Sequence, residues 1–268
     1  MESNFTSVVR FAPLGRWPKI DDVEPPAELH AKFWGISMLD EEEEWRNSQQ
    51  PIFAVGDELE SEDCMDVDFD VNDISADVIP GCYVLNIGIK GLERSKIWIR
   101  ADYIRVYNYL ETINDGTSEA EGVAPGAIIT GQPGIGEFPF SVHQTSANKC
   151  IVWKGKSVWV YYALRRRLAE RKPVIWYRQG FCFLFVEEGV YQAPKDFNPS
   201  YFNKFVWTLV DSDESKEGIP PHLVPHGTRL FMIYSTSPSK KRWKRLHKTA
   251  STIKIIMNPW TRTEISYV

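Results

Sequence analysis

The chain has 268 residues, 43% of them hydrophobic and 25% charged, with a formal net charge of -5. That length holds one large domain, or one domain with an appendage, and the composition is that of a globular protein. The longest apolar runs, such as residues 181–186, are too short to cross a bilayer, so no membrane partner is expected. The N-terminal stretch MESNFTSVVRFAPLGRW has no apolar core of the secretory type. The expected location is therefore intracellular, cytoplasmic or nuclear. The four cysteines, Cys64, Cys82, Cys150 and Cys182, lack metal-ligand spacing and fit free thiols in a reducing compartment. Cys182, inside FCFLFV, reads as core.

Residues 1–37 carry no assignable fold pattern. Residues 38–80 are strongly acidic: DEEEE at 40–44, then GDELESEDCMDVDFDVND, with Arg46 as the only cation from 40 to 77. Self-repulsion and low hydrophobicity predict a disordered linker. It is either a solvated strip or an acidic mimic that binds a basic partner. Residues 81–122 form a lead-in. CYVLNIGI and KIWIR predict short strands. A helix follows, with Tyr103, Val106, Tyr107 and Leu110 on one face at i, i+3, i+4, i+7 spacing. The turn-rich stretch NDGTSEAEG at 114–122 predicts the main domain boundary. Residues 123–268 then alternate strand and helix, which predicts a parallel sheet with crossover helices. The strands are GAIIT, PVIWY, a hairpin pair within FCFLFVEEGVY, FVWTLV, RLFMIY and TIKIIM. The spacing predicts a helix over 157–171, with Tyr161, Leu164 and Leu168 inward and a basic outer face.

The strand GAIIT runs into GQPGIG, residues 131–136. A glycine-rich turn after a buried strand lets backbone N–H groups converge on phosphates, aided by the dipole of the following helix. The phosphate loop also needs a lysine for the β/γ-phosphates and a Ser/Thr hydroxyl for Mg²⁺, directly after its last glycine. Glu137 stands there instead. The motif resumes at Gly155-Lys156-Ser157, where a helix begins. Removing residues 137–155 yields G-Q-P-G-I-G-K-S between a strand and a helix, a complete loop in its required context. The expected ATP site is then Gly131, Gln132, Pro133, Gly134, Ile135, Gly136, Lys156 and Ser157, with Ser157 on Mg²⁺. Residues 137–155 read as a translated, unspliced intron. Gly-Glu-Phe can be encoded GGTGAGTTC, containing the donor sequence GTGAGT. Ala147-Asn148 can supply a branch-point-like CTAAC, and Lys154-Gly155 a terminal AG. Excision in that phase regenerates one glycine codon. The alternative is a genuine insertion.

An acid at the tip of a neighbouring strand is needed to hold the Mg²⁺ water shell, and FVWTLV runs into Asp211. Ser212 follows, where many proteins of this architecture place a glutamate as general base. Asp213 and Glu214 lie just beyond, so the base is unassigned and slow hydrolysis is expected. RLFMIY leads into Ser235 and Thr236, which either orient the attacking water or form an ordinary turn. Lys240, Lys241, Arg242, Lys244, Arg245 and Lys248 follow in a short helix with Trp243 and Leu246 as its apolar side. Such a patch suits nucleic acid, although a solvated helix face is the simpler reading.

From Lys96 onward the chain resembles the P-loop NTPase module of Crinkler and retrotransposon-hot-spot type proteins, abundant in mushroom-forming fungi. The resemblance rests on SKIWIRADYIRVYNYLE, on ITGQPGIG rejoined to KSVWVYYALRRRL, and on KPVIWY, WTLVDSD, STSPSKKRWKRL and IIMNPWTRTEI. It implies an ATPase of the additional-strand class, related to the signal-transduction NTPases. Lys156 and Ser157 are then the phosphate and Mg²⁺ residues, Asp211 the Walker B acid, and Ser235 or Thr236 the sensor. Such proteins usually continue after the stretch matching NPWTRTEI into a helical or effector region, so the resemblance implies a truncated C-terminus here, with any lid, sensor arginine or effector domain absent. The expected fold is an α/β P-loop NTPase three-layer sandwich with a mostly parallel sheet, a small N-terminal α+β appendage and the acidic disordered linker. The expected function is Mg²⁺-dependent ATP binding and hydrolysis, impaired while residues 137–155 interrupt the loop. The alternative is a non-catalytic, degenerate P-loop fold that contacts a protein partner through the acidic linker or the basic helix.

Overall fold

A computed structural model describes residues 17–38, 82–86, 96–117, 124–131, 155–194, 197–198, 202–212, 219–220, 223, 229–249 and 251–258. Nearly all of the acidic stretch lies outside the described residues. In chain order the elements are α1 (Pro25–Phe33), β1 (Cys82–Asn86), β2 (Lys96–Arg100), α2 (Ala101–Gly116) and β3 (Gly126–Thr130). Then come α3 (Gly155–Ala169), β4 (Val174–Arg178), β5 (Phe181–Val186), β6 (Gly189–Gln192), β7 (Val206–Asp211), β8 (Leu230–Ser235), α4 (Lys240–Thr249) and β9 (Thr252–Ile256). The apolar runs of the main sheet form strands where the sequence predicts them, within a residue or two, and β1 is described over the first five residues of CYVLNIGI. No helix among the described residues is long and apolar enough to cross a membrane.

The main sheet has seven strands in the order β6-β5-β4-β7-β8-β3-β9. The five strands β4, β7, β8, β3 and β9 are parallel to one another. β5 and β6 extend the sheet as an antiparallel hairpin. The interior strands β3, β7 and β8 are buried along their whole length, as their unbroken apolar runs require of a parallel sheet covered on both faces. Their side chains alternate between two cores. Ile129, Leu209 and Ile233 pack under α1, α2 and α3. Ile128, Val210 and Tyr234 pack under Trp243 and Leu246 of α4. The result is three layers, and Trp243 and Leu246 are the apolar side of α4, as expected. β1 and β2 pair separately as an antiparallel ribbon.

Three expectations change. First, the lead-in and the sheet share one core: Tyr103, Val106, Tyr107 and Leu110 of α2 pack with Trp207 and Phe231. The break at 114–122 joins two elements of that core. Second, residues 17–38 are no separate appendage. They strap the sheet edge, where Ile20 N–H donates to Val190 O at 2.9 Å and Gln192 N–H to Pro18 O at 3.0 Å. This covers the exposed edge of β6. His30 Nε2 donates to Val186 O at 2.6 Å, and Gly35 N–H to Leu168 O at 2.9 Å. Gly35 has φ of 70°, which glycine adopts without penalty, and a Cβ there would run into the Arg171 side chain.

Third, α3 has no basic outer face, because α1 and α2 cover it. Arg165 and Arg167 are only 1% and 4% exposed. Arg165 donates to Ile36 O at 3.0 Å and lies 4.3 Å over the Phe33 ring. Arg167 donates to Glu111 at 2.5 Å and lies 4.7 Å over Trp207. Buried guanidinium groups persist only when paired in this way.

Candidate functional site

β3, β7 and β8 run the same way, so their carboxyl ends share one edge of the sheet. Thr130 closes β3 and leads into Gly131, Asp211 closes β7, and Ser235 closes β8. Ser235 stands in register with both Asp211 and Ile129. Past that row, Ser212 N–H donates to Ser235 O and Thr236 N–H to Ile129 O, each at 2.9 Å. Two strand spacings separate Asp211 from β3, about 10 Å, with β8 between them.

Strand alternation decides which way these side chains face. Leu209 and Ile233 face α3, so Asp211 and Ser235, two residues on, face the same side. Ser157 lies buried in the first turn of α3. The fold thus gathers Ser157, Asp211 and Ser235 on one side of one edge, beside Gly131. Thr130 and Thr236 face the other way. Both are buried, and neither hydroxyl has a hydrogen-bond partner among the described residues. Such hydroxyls are costly when left alone, and Thr130 directly precedes Gly131. The first turn of α3 carries no acidic residue, which leaves its dipole free to favour an anion.

Lys156 belongs to that turn, but its side chain lies outside the described residues. So do Gln132, Pro133, Gly134, Ile135, Gly136, Asp213 and Glu214. Residues 137–154 lie outside as well. Gly155, counted with that segment, opens α3. Both flanking elements are therefore formed and packed in the chain that carries the segment.

Sequence reasoning missed a charged cluster at the opposite, amino edge. A cleft of about 460 Å³ there is lined by Glu111, Asn114, Arg167, Lys172, Lys204 and Phe205, among others. Its charges are largely spent on one another. Glu111 accepts from Arg167 and Lys172, and Glu170 accepts from Lys172, Arg166 and Tyr107. Burial alone would raise the pKa of Glu170, but the bonds from Lys172, Tyr107 and Arg166 outweigh it and hold the carboxyl below its usual range. Burial likewise opposes the charge on Lys172, and Glu111 and Glu170 overcome it. The cluster ties α2 to the carboxyl end of α3, far from the glycine turn. Cys182 is core, as expected, and burial pushes its thiol up to about 12.

No protein-family model matches the chain, and no solved structure matches it. Crinkler effector protein 15 of Phytophthora infestans is 25% identical over 181 residues, covering 65% of this chain and 25% of that protein. Crinkler effector protein 16 of the same organism is also 25% identical over 181 residues, covering 65% of this chain and 24% of the relative. The chain therefore spans about a quarter of the length of the curated relatives it matches. Both come from an oomycete, which lends nothing to the fungal setting the sequence implied. What the comparisons establish is a distant similarity to Crinkler effectors over 65% of the chain.

Proposed function

We propose that this chain is an ATP-binding P-loop NTPase module, of the Crinkler type, whose phosphate loop is interrupted by residues 137–155. The observation that carries the reading is the shared carboxyl edge, where Gly131, Ser157, Asp211 and Ser235 gather on the α3 side. The interposed strand β8 supports the additional-strand class, since it separates the glycine-turn strand from the Asp211 strand. The similarity to Crinkler effectors supports the family.

In this reading Gly131 and the turn after it cradle the phosphates through backbone N–H groups, and Lys156 neutralises the β/γ-phosphates. Ser157 holds Mg²⁺ directly, and Asp211 holds its water shell. Among the described residues no cluster of three metal-ligating side chains exists, so nucleotide oxygens and water would complete the coordination. Ser235, on the α3 side with Asp211, orients the attacking water, whereas Thr236 faces away from that side. Ser212 follows the acid with no carboxylate, so Asp213 or Glu214 is left as candidate base and turnover is slow. Residues 137–155 are a retained intron. A non-catalytic role is favoured by one observation, the interruption itself.

The test is Mg²⁺-ATP binding by calorimetry to the full chain lacking only residues 137–155. Binding is expected, and Lys156→Ala should weaken it at least about tenfold, the loss of one charge-assisted contact. Equal affinities would remove Lys156 from the site. No binding by either form would leave the non-catalytic reading standing.

A further inference from the structure

We propose that the start of α2 is a brace for the split phosphate loop, with Asp102 as a positioning residue that fixes the strand half against the helix half. This rests on the nucleotide reading of the carboxyl edge. The two halves are Thr130-Gly131 at the end of β3 and Lys156-Ser157 in the first turn of α3. A path of hydrogen-bonded residues, buried except for the exposed Asn258, links them without using residues 137–154.

On the strand side, Met257 N–H donates to Thr130 O at 2.7 Å. The next residue, Asn258, is held by the lead-in. Its N–H donates to Asp102 Oδ2 at 3.0 Å and its Nδ2 to Asp102 Oδ1 at 3.3 Å. Arg100 NH1 donates to Asn258 O at 3.0 Å. On the helix side, Trp159 Nε1 donates to Tyr103 O at 3.2 Å, two residues past Ser157. Asp102 and Tyr103 are neighbours, so one turn of α2 grips both halves.

The path is stiff. Arg100, Asp102, Tyr103, Trp159 and Met257 are all buried. Asp102 also receives Arg105 at 2.6 Å, which fixes its carboxylate from the outside. A phosphate loop works only when the strand end and helix start hold a set separation, because their N–H groups must converge on the same oxygens. A displacement of 1 Å in such a site can lower rates about 100-fold. The brace supplies that separation from outside the loop, which is why strand and helix stand in place although the loop between them is interrupted.

The experiment uses the full chain lacking only residues 137–155, with Mg²⁺-ATP as the probe. Asp102→Asn replaces a doubly used acceptor, and Trp159→Phe removes the indole donor while keeping a ring. Each should weaken Mg²⁺-ATP about tenfold, the effect of one hydrogen bond to a charged or buried group. The apo melting temperature should move by no more than a few degrees. The swap Asp102→Asn with Asn258→Asp restores a donor–acceptor pair and should recover most of the affinity, a rescue that general loosening would not give. If Asp102→Asn fails to fold, Trp159→Phe decides alone. Variants that bind like their parent overturn the brace and leave the nucleotide reading intact. A parent that binds no nucleotide overturns both.

Discussion

Glu111 offers the sharpest test of how the helical layer is held. Its carboxylate accepts from Arg167 at 2.5 Å, with side-chain exposures of 13% and 5%, and it also accepts from Lys172, which is 40% exposed. Glu111→Ala strands the Arg167 guanidinium under α2. Breaking a buried pair by removing one partner costs roughly 3–5 kcal/mol. Arg167 keeps its bond to Pro173 O at 3.0 Å and its contact with Trp207, so the lower end, about 3 kcal/mol, is expected. Lys172→Met removes a partly exposed partner of Glu111 and Glu170 and should cost less, about 1 kcal/mol. Replacing the pair together, Glu111→Leu with Arg167→Met, should come out near neutral. Urea unfolding with linear extrapolation reads all three, and Glu111→Ala should lower Tm by about 6–12 °C. Equal losses for Glu111→Ala and Lys172→Met would refute the reasoning, because burial would then not decide what the pair is worth.

Asp211→Asn in the chain lacking residues 137–155 should spare Mg²⁺-ATP binding more than turnover, since a water-shell acid matters most as charge develops. If Asp213→Asn abolishes hydrolysis and Asp211→Asn does not, the acid is misplaced by two residues. His30 sets a pH dependence on the N-terminal strap. Burial lowers its pKa below 6.5, against the bond to Val186, with Lys19 lowering it further and Glu188 opposing. A depressed folded pKa contributes stability that is full above 6.5 and lost as pH falls through the folded value. Melting curves should therefore fall from about pH 7 to pH 5, and His30→Gln should flatten that decline. Cys182, with its thiol pushed up to about 12, should resist alkylation near neutral pH until the chain unfolds. Rapid labelling of the native protein at Cys182 would contradict its place in the core.

The sheet was legible because interior parallel strands are unbroken apolar runs, and GAIIT, FVWTLV and RLFMIY are such runs. The helix start near Ser157 was legible from the periodic apolar residues that follow it, whereas the glycine turn at 132–136 lies outside the described residues. Asp211 and Ser235 could be placed at strand tips, and the fold brings them to the same edge as Gly131 and Ser157. The rest depends on contacts that sequence spacing does not report. A 3.6-residue period separates an inner from an outer face only when one face is wet, and α3 is covered by both α1 and α2. Its arginines therefore looked like a solvated face while lying against Phe33 and Trp207. Asp102 and Asn258 meet across 156 positions. The strap at 17–20 is too short to show a period, and its pairing with β6 appears only once the sheet edge exists.

The central claim is that one segment splits an otherwise working site. Calorimetry of Mg²⁺-ATP with the intact chain beside the chain lacking residues 137–155 tests it most directly. Strand and helix stand in place on both sides of the segment, and lengthening a connection adds little closure entropy, roughly 0.6 kcal/mol for each doubling of its length. Both forms should therefore show the same folded sheet by circular dichroism. On the proposed reading only the shortened form should bind nucleotide well, because Glu137 stands in the sequence where the loop's lysine belongs. Equal affinity in the two forms would contradict the account and make residues 137–155 a functional insertion.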